Sequence, residues 1–173
     1  MKRFLTLCAL CLTGLLSACG GGSTEPAVVT SPSATVTCSL PMQYANGSTS
    51  GTAILAQARS VDRQLVSCNI SQVQSATLSI CTDHPNRNEL TGQLQLSGGV
   101  LATLQLGDGV LRGNSCLSST SATTTLLEFN ASNLDTRGLN PASGPWSLTV
   151  TDTVQNNQNG YFVAWALEIK GQP

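Results

Sequence analysis

Between Gly144 and Ile169 apolar and polar residues alternate with a period of two. Trp146, Leu148 and Val150 share one face of the first segment, and Val163, Trp165, Leu167 and Ile169 share one face of the second, the mark of strands buried on one side. The polar stretch 153–159 between them ends in Asn159-Gly160, a pair that tolerates positive φ, so the pattern predicts an antiparallel hairpin with both tryptophans turned inward. Strand-like runs recur upstream at 73–80, 90–96, 101–106 and 123–129, separated by turn residues at intervals that suit a sandwich. Residues 53–61 fit a short helix or an irregular strand equally well. No other stretch carries a capped helical stripe. The fold class expected is therefore all-β, a single jelly-roll-like antiparallel sandwich.

The N-terminal residues follow a different rule. Lys2 and Arg3, an apolar run from Phe4 to Leu16, and then Leu16-Ser-Ala-Cys19 describe a bacterial lipoprotein signal peptide over residues 1–18. The run is shorter than the roughly 20 residues that span a bilayer. Cleavage before Cys19 would make it the lipid-bearing N-terminus, and Gly20, which is not Asp, points to the outer membrane of a bacterial cell envelope. Cys8 and Cys11 form a CxxC only inside the segment to be discarded. Residues 19–37 are Gly, Ser, Thr, Pro and Ala with few large apolar groups, which predicts a flexible stalk. Residues 38–173 are left for the domain.

Removing residues 1–18 from 173 leaves 155, enough for one domain. Subtracting Lys2 and Arg3 from 8 basic residues leaves 6 against 9 acidic, a net charge of about −3 with no basic cluster, which argues against nucleic acid as a partner. Charged residues are 10% of the chain, well under the roughly 25% of an average domain. Ser, Thr, Asn, Gln and Gly fill the surface instead, as in exported β proteins.

Cys38, Cys68, Cys81 and Cys116 remain in the mature domain. In an exported protein an even number of cysteines reads as disulfides, with three pairings open. Cys38 with Cys68 and Cys81 with Cys116 is the pairing expected here, because Cys81 ends one strand and Cys116 lies in a loop where sheet ends can meet. One histidine and no CxxC in the mature chain speak against a structural zinc set.

The pattern Gly144-x-Trp-x-Leu-x-Val-x-Asp152, followed by Gly160-x-x-x-x-Trp-x-Leu, resembles the end of the P domain (P/Homo B domain) of subtilisin-like proprotein convertases and secreted bacterial proteases. Upstream, His84-Pro-Asn-Arg-Asn-Glu-Leu90 is similar to the family's His-Thr-x-x-Gly-Asp-Leu signature, with Asn88 and Glu89 in place of its Gly and Asp. The resemblance implies a non-catalytic accessory domain that supports the folding and stability of a protease. The residues agree that no catalytic set is present. A Ser-His-Asp triad needs a histidine oriented by a carboxylate, His84 is the sole candidate, and adjacent Asp83 would point to the opposite face of a strand. No Gly-x-Ser-x-Gly elbow occurs either.

His84 reads first as a turn histidine bonded to nearby backbone, and second as a pH-sensing or binding group. Asp83, Glu89 and Asp152 raise calcium as a candidate ligand, since hard cations need clustered oxygens, although the loop lacks the regular ligand spacing of a known calcium motif. Otherwise no cofactor is expected. Two functions follow: a lipid-anchored binding or scaffolding module for an envelope protein or glycan, or an accessory module serving a separate subtilisin-like serine endopeptidase.

Overall fold

The computed structural model describes residues 34–45, 47, 51–54, 58–59, 63, 68–113, 116–117, 124–154 and 156–173. Cys19, the leader and most of the expected stalk lie outside these residues. The described strands are β1 (Val36–Tyr44), β2 (Thr52–Ile54), β3 (Ala58–Arg59), β4 (Gln72–Thr82), β5 (Leu90–Leu96), β6 (Gly99–Gln105), β7 (Val110–Gly113), β8 (Thr125–Ser132), β9 (Trp146–Asp152) and β10 (Gly160–Gln172). Single 3₁₀ turns, Arg87–Glu89 and Leu106–Asp108, are the described helical elements. The stretch 53–61 thus resolves toward strand at the residues described, and β1 begins at Val36, two residues ahead of Cys38.

Two antiparallel sheets form the sandwich. One runs β1-β10-β4-β8-β7, with β2 also paired to β10, and the other runs β3-β9-β5-β6. β9 and β10 therefore lie in opposite sheets, which corrects the expected tryptophan hairpin. Alternation identifies the buried face of a strand but is blind to which strand it pairs with. Trp146 pairs into β5 opposite Leu96, whereas Trp165 pairs with Ile80 of β4 and Gln43 of β1. Both rings belong to one buried core, entering it from opposite sheets. A two-residue hairpin does occur, between β5 and β6, where Ser97 and Gly98 have φ of 51° and 84° and make the turn that matches strand twist.

A second correction concerns Val163. The register of β10 on β4 shifts between Phe162 and Ala164, so Val163 is an extra residue in the strand. Phe162 and Trp165, three positions apart, both face the core as a result, and Val163 joins Ala164, Cys81 and Cys116 in a separate buried cluster with Met42, Tyr44 and Leu126. Strict alternation from Val163 to Ile169 fails at that bulge.

The main core draws Leu90, Leu94, Leu96, Trp146, Leu148 and Val150 from one sheet, and Leu78, Ile80, Leu127, Phe129, Phe162, Trp165, Leu167 and Ile169 from the other. Each large apolar side chain removed from water contributes about 1.5–3 kcal/mol. The buried indole of Trp146 keeps its polar atom paired by donating Nε1–H to Pro141 O at 3.0 Å. Cys38–Cys68 and Cys81–Cys116 are both bonded, with Cα atoms 5.8 and 5.9 Å apart, the expected pairing.

Arg63 ties the layers together. Its backbone exchanges hydrogen bonds with Trp146 in one sheet (2.9 and 2.8 Å), while its side chain crosses to the other. There Nη1 donates to Pro41 O at 3.0 Å, within the irregularity that interrupts the β1 ladder between Leu40 and Gln43.

Candidate functional site

Four strand ends converge at one end of the sandwich: the last residues of β4 and β9, and the first residues of β5 and β10. His84 follows β4, Glu89 closes the 3₁₀ turn before β5, and Asp152 ends β9. Their ligand-type atoms lie within 4.8 Å of one another.

The local sequence explains why His84 sits here. Thr82 Oγ1 accepts from His84 N–H (3.1 Å) and donates to Tyr161 O (3.0 Å), locking the chain as it leaves β4. Asn86 then caps the 3₁₀ turn by accepting from Asn88 N–H at 3.2 Å. The imidazole is folded back over this turn, with Nδ1 3.0 Å from Asn86 O and 3.2 Å from Asn86 N. Its Nε2 faces Gln158 O at 3.2 Å and Asp152 Oδ2 at 3.4 Å. The ring is wholly buried, and Asp152 is 4% exposed at its side chain.

The two carboxylates are oriented by amides. Asp152 Oδ1 accepts from Val154 N–H at 2.9 Å, and Glu89 Oε1 accepts from the side-chain amides of Asn86 (2.6 Å) and Asn156 (2.9 Å). Glu89 Oε2 is buried with no hydrogen-bond partner. The carbonyl of Glu89 accepts from Thr153 N–H (2.8 Å) and Thr153 Oγ1–H (2.7 Å), joining the segment after β9 to the turn before β5.

Gly160 completes the arrangement. A Cβ there would stand 2.4 Å from His84 Cα and 2.8 Å from His84 N, so only glycine lets β10 start against the histidine backbone. Its φ is not positive. The expected turn role of Asn159-Gly160 is replaced by close approach, and a left-handed residue of this connection is Asn157 at φ 62°.

Glu89 and Asp152 are thus brought together with His84. Asp83, the third calcium candidate, is turned elsewhere, its Oδ1 accepting from Tyr161 N–H. Calcium asks for six or more oxygens around one ion; here Glu89 Oε1 already accepts from two amides and the third partner offers nitrogen. Asn156 and Gln158 were not singled out by the sequence reading. Their signal was weak, since polar residues in a connection look alike until the loop is folded. Arg63 was missed for a similar reason, sitting in a stretch without a clear period.

No protein-family model matches the sequence, and no curated protein matches it. Among solved structures, similar chains include FLHE (TM-score 0.49, 8% identity, covering 81% of this chain and 97% of that one). The complex of the Aeromonas sobria serine protease (ASP) with the chaperone ORF2 gives a TM-score of 0.46 at 18% identity, covering 80% of this chain and 27% of that one. The CBM36-1 domain of a multidomain xylanase from the hindgut metagenome of Trinervitermes trinervoides gives 0.37 at 13% identity, over 81% and 99%. None reaches a TM-score of 0.5, and none is evidence of a shared function.

Proposed function

We propose that this chain is a non-catalytic lipoprotein of a bacterial cell envelope, tethered through Cys19, whose P-domain-like sandwich is displayed as a binding or scaffolding module. The observation that supports this reading most is the polarity of β10. Val36, where the chain enters the fold, pairs with Gly171 near one end of that strand, and the His84 cluster abuts Gly160 at the other. Eleven residues at ~3.3 Å each put about 36 Å between them. The His84 end thus lies at the far end of β10 from the point where the chain enters the described strands. Two large apolar side chains, Val154 (42% exposed) and Tyr161 (44%), emerge beside the cluster there, on backbone fixed by the Asp152 and Asp83 hydrogen bonds.

The histidine supports a non-catalytic role. Its ring partners are Asn86, Gln158 and Asp152, with no hydroxyl or thiol nucleophile among them. The alternative, an accessory module for a separate subtilisin-like endopeptidase, draws on one feature. The two stretches that carry the P-domain resemblance meet, through the β5–β9 ladder and the His84–Asp152 contact.

A photo-crosslinking amino acid at position 161, installed in the full chain and irradiated in intact envelopes, tests the proposal. A discrete adduct that weakens when Val154 is changed to Ser is expected, and its mass separates the two readings by whether an endopeptidase is recovered. Irradiation that yields only uncrosslinked protein would remove the display role.

A further inference from the structure

His84, Glu89 and Asp152 come from three segments, and each is gripped on one side and left open on the other. Behind the ring, Nδ1 lies 3.0 Å from Asn86 O and 3.2 Å from Asn86 N, so one of its tautomers donates there and the other accepts. Behind the carboxylates, Oδ1 of Asp152 takes Val154 N–H, and Oε1 of Glu89 takes two side-chain amides. That leaves Nε2 of His84 and Oδ2 of Asp152 facing each other at 3.4 Å, with side chains 0% and 4% exposed. It also leaves Glu89 Oε2 buried and unpartnered. Among the described residues no lysine or arginine forms an ion pair with either carboxylate. A nearly buried Asp152 carboxylate without a balancing cation is costly, and the orphaned buried oxygen of half-buried Glu89 asks for what would complete it.

We infer that His84, Glu89 and Asp152 form a binding site for a divalent transition-metal ion of the zinc class, with the Gln158 carbonyl at its border. Tetrahedral ligands at about 2.0–2.1 Å from zinc stand about 3.3 Å apart, and the separations here are 3.4 Å from Nε2 to Asp152 Oδ2 and 3.2 Å from Nε2 to Gln158 O. In the tautomer with Nδ1–H on Asn86 O, the lone pair on Nε2 faces those two oxygens and a cation fits between them; in the other, Nδ1 accepts from Asn86 N–H and Nε2–H donates to them. Metal-bound histidines hold their second nitrogen on a backbone carbonyl as in the first of these. A nitrogen donor beside carboxylates selects zinc, copper, iron or nickel over calcium and magnesium, which take oxygen. A proton on Nε2 would answer the same oxygens, and the experiment separates the two.

The full chain, untagged and stripped with chelator, is titrated with zinc chloride alone by calorimetry and by ¹H–¹⁵N spectra of the imidazole. The chain has one histidine, so the ring signals are unambiguous. One equivalent of zinc should bind and shift the Nε2 resonance, and Glu89→Gln, which keeps the Oε1 acceptor, should weaken binding by about tenfold or more. Should Glu89→Gln lose its β-sheet circular dichroism, Asp152→Asn is the substitute, and the wild-type ring signals decide the matter without either. An imidazole unmoved at millimolar zinc means a proton on Nε2 holds the ring and overturns the site. Zinc binding undiminished in Glu89→Gln, or calcium bound as tightly as zinc, overturns it as well.

Discussion

The guanidinium carbon of Arg63 stands 4.6 Å from the centre of the Trp165 ring, close enough for a cation–π contact. With Nη1 on Pro41 O and the Arg63 backbone laddered to Trp146, one residue connects both tryptophans and both sheets. Burial lowers the Arg63 pKa below the ordinary guanidinium value, and the group stays charged. Arg63→Ala should lower the unfolding free energy by about 2 kcal/mol, from the ring contact and the carbonyl left bare. Nε of Arg63 is buried without a partner, which offsets part of that loss. Arg63→Lys keeps the charge but not the fork and should cost about half as much. Urea denaturation checks both, and an alanine variant within ~0.3 kcal/mol of wild type contradicts the bridging role.

Gly160→Ala places a methyl group against His84 backbone atoms that have no room to yield. A loss of about 3 kcal/mol is expected, with disturbance of the His84 ring signals. Gly99→Ala serves as the comparison, because its added Cβ would meet atoms at 3.5 and 4.0 Å, ordinary contact distances. That variant should stay within about 0.5 kcal/mol of wild type.

Both disulfides close long loops, with sequence separations of 30 and 35. Replacing either pair with serines should cost about 3 kcal/mol, chiefly by freeing the unfolded chain. Thiol titration of the denatured, unreduced protein should find none of these four cysteines reactive, and any stoichiometric labelling of Cys38, Cys68, Cys81 or Cys116 would contradict the bonding.

The Asp135 carboxyl, hydrogen-bonded to the Arg137 side chain, has its pKa lowered to about 2. A depressed carboxylate favours the folded state above its ordinary pKa, and that contribution fades as pH falls through the folded value. The pair is fully exposed, so its effect on stability should be small and screened by salt. The sharper readout is the carboxyl resonance of Asp135, which should titrate near pH 2 and return toward the usual aspartate range in Arg137→Gln.

How far the chain could be read in advance depended on the distance over which each signal acts. Alternation at Trp146-x-Leu148-x-Val150 and at Leu90-x-x-x-Leu94-x-Leu96 located strands and their buried faces, because a side chain's direction is set by its neighbours. Pairing is a long-range choice. Nothing between Asp152 and Gly160 announces that the chain changes sheets, and the bulge at Val163 depends on how β10 meets β4. The strand β7 went unrecognised because Val110 and Leu111 are about half exposed and fall in a glycine-rich stretch. At the candidate site, His84, Glu89 and Asp152 each stood out as titratable residues near strand ends. Their grouping with one another, and the exclusion of Asp83, follow from hydrogen bonds to Asn86, Asn156 and Tyr161 that sequence spacing does not encode.

The register of β1 against β10 also bears on how the domain yields to a pull. Force applied to the chain ahead of Val36 would meet β1 at the Val36–Gly171 pair first and open its ladder one rung at a time, like a zip. Two residues along, at Cys38, the covalent link to Cys68 intervenes. Tension then bypasses the remaining rungs of β1 and passes to the body of the sandwich, so the bond works as a mechanical stop at the threshold of the fold.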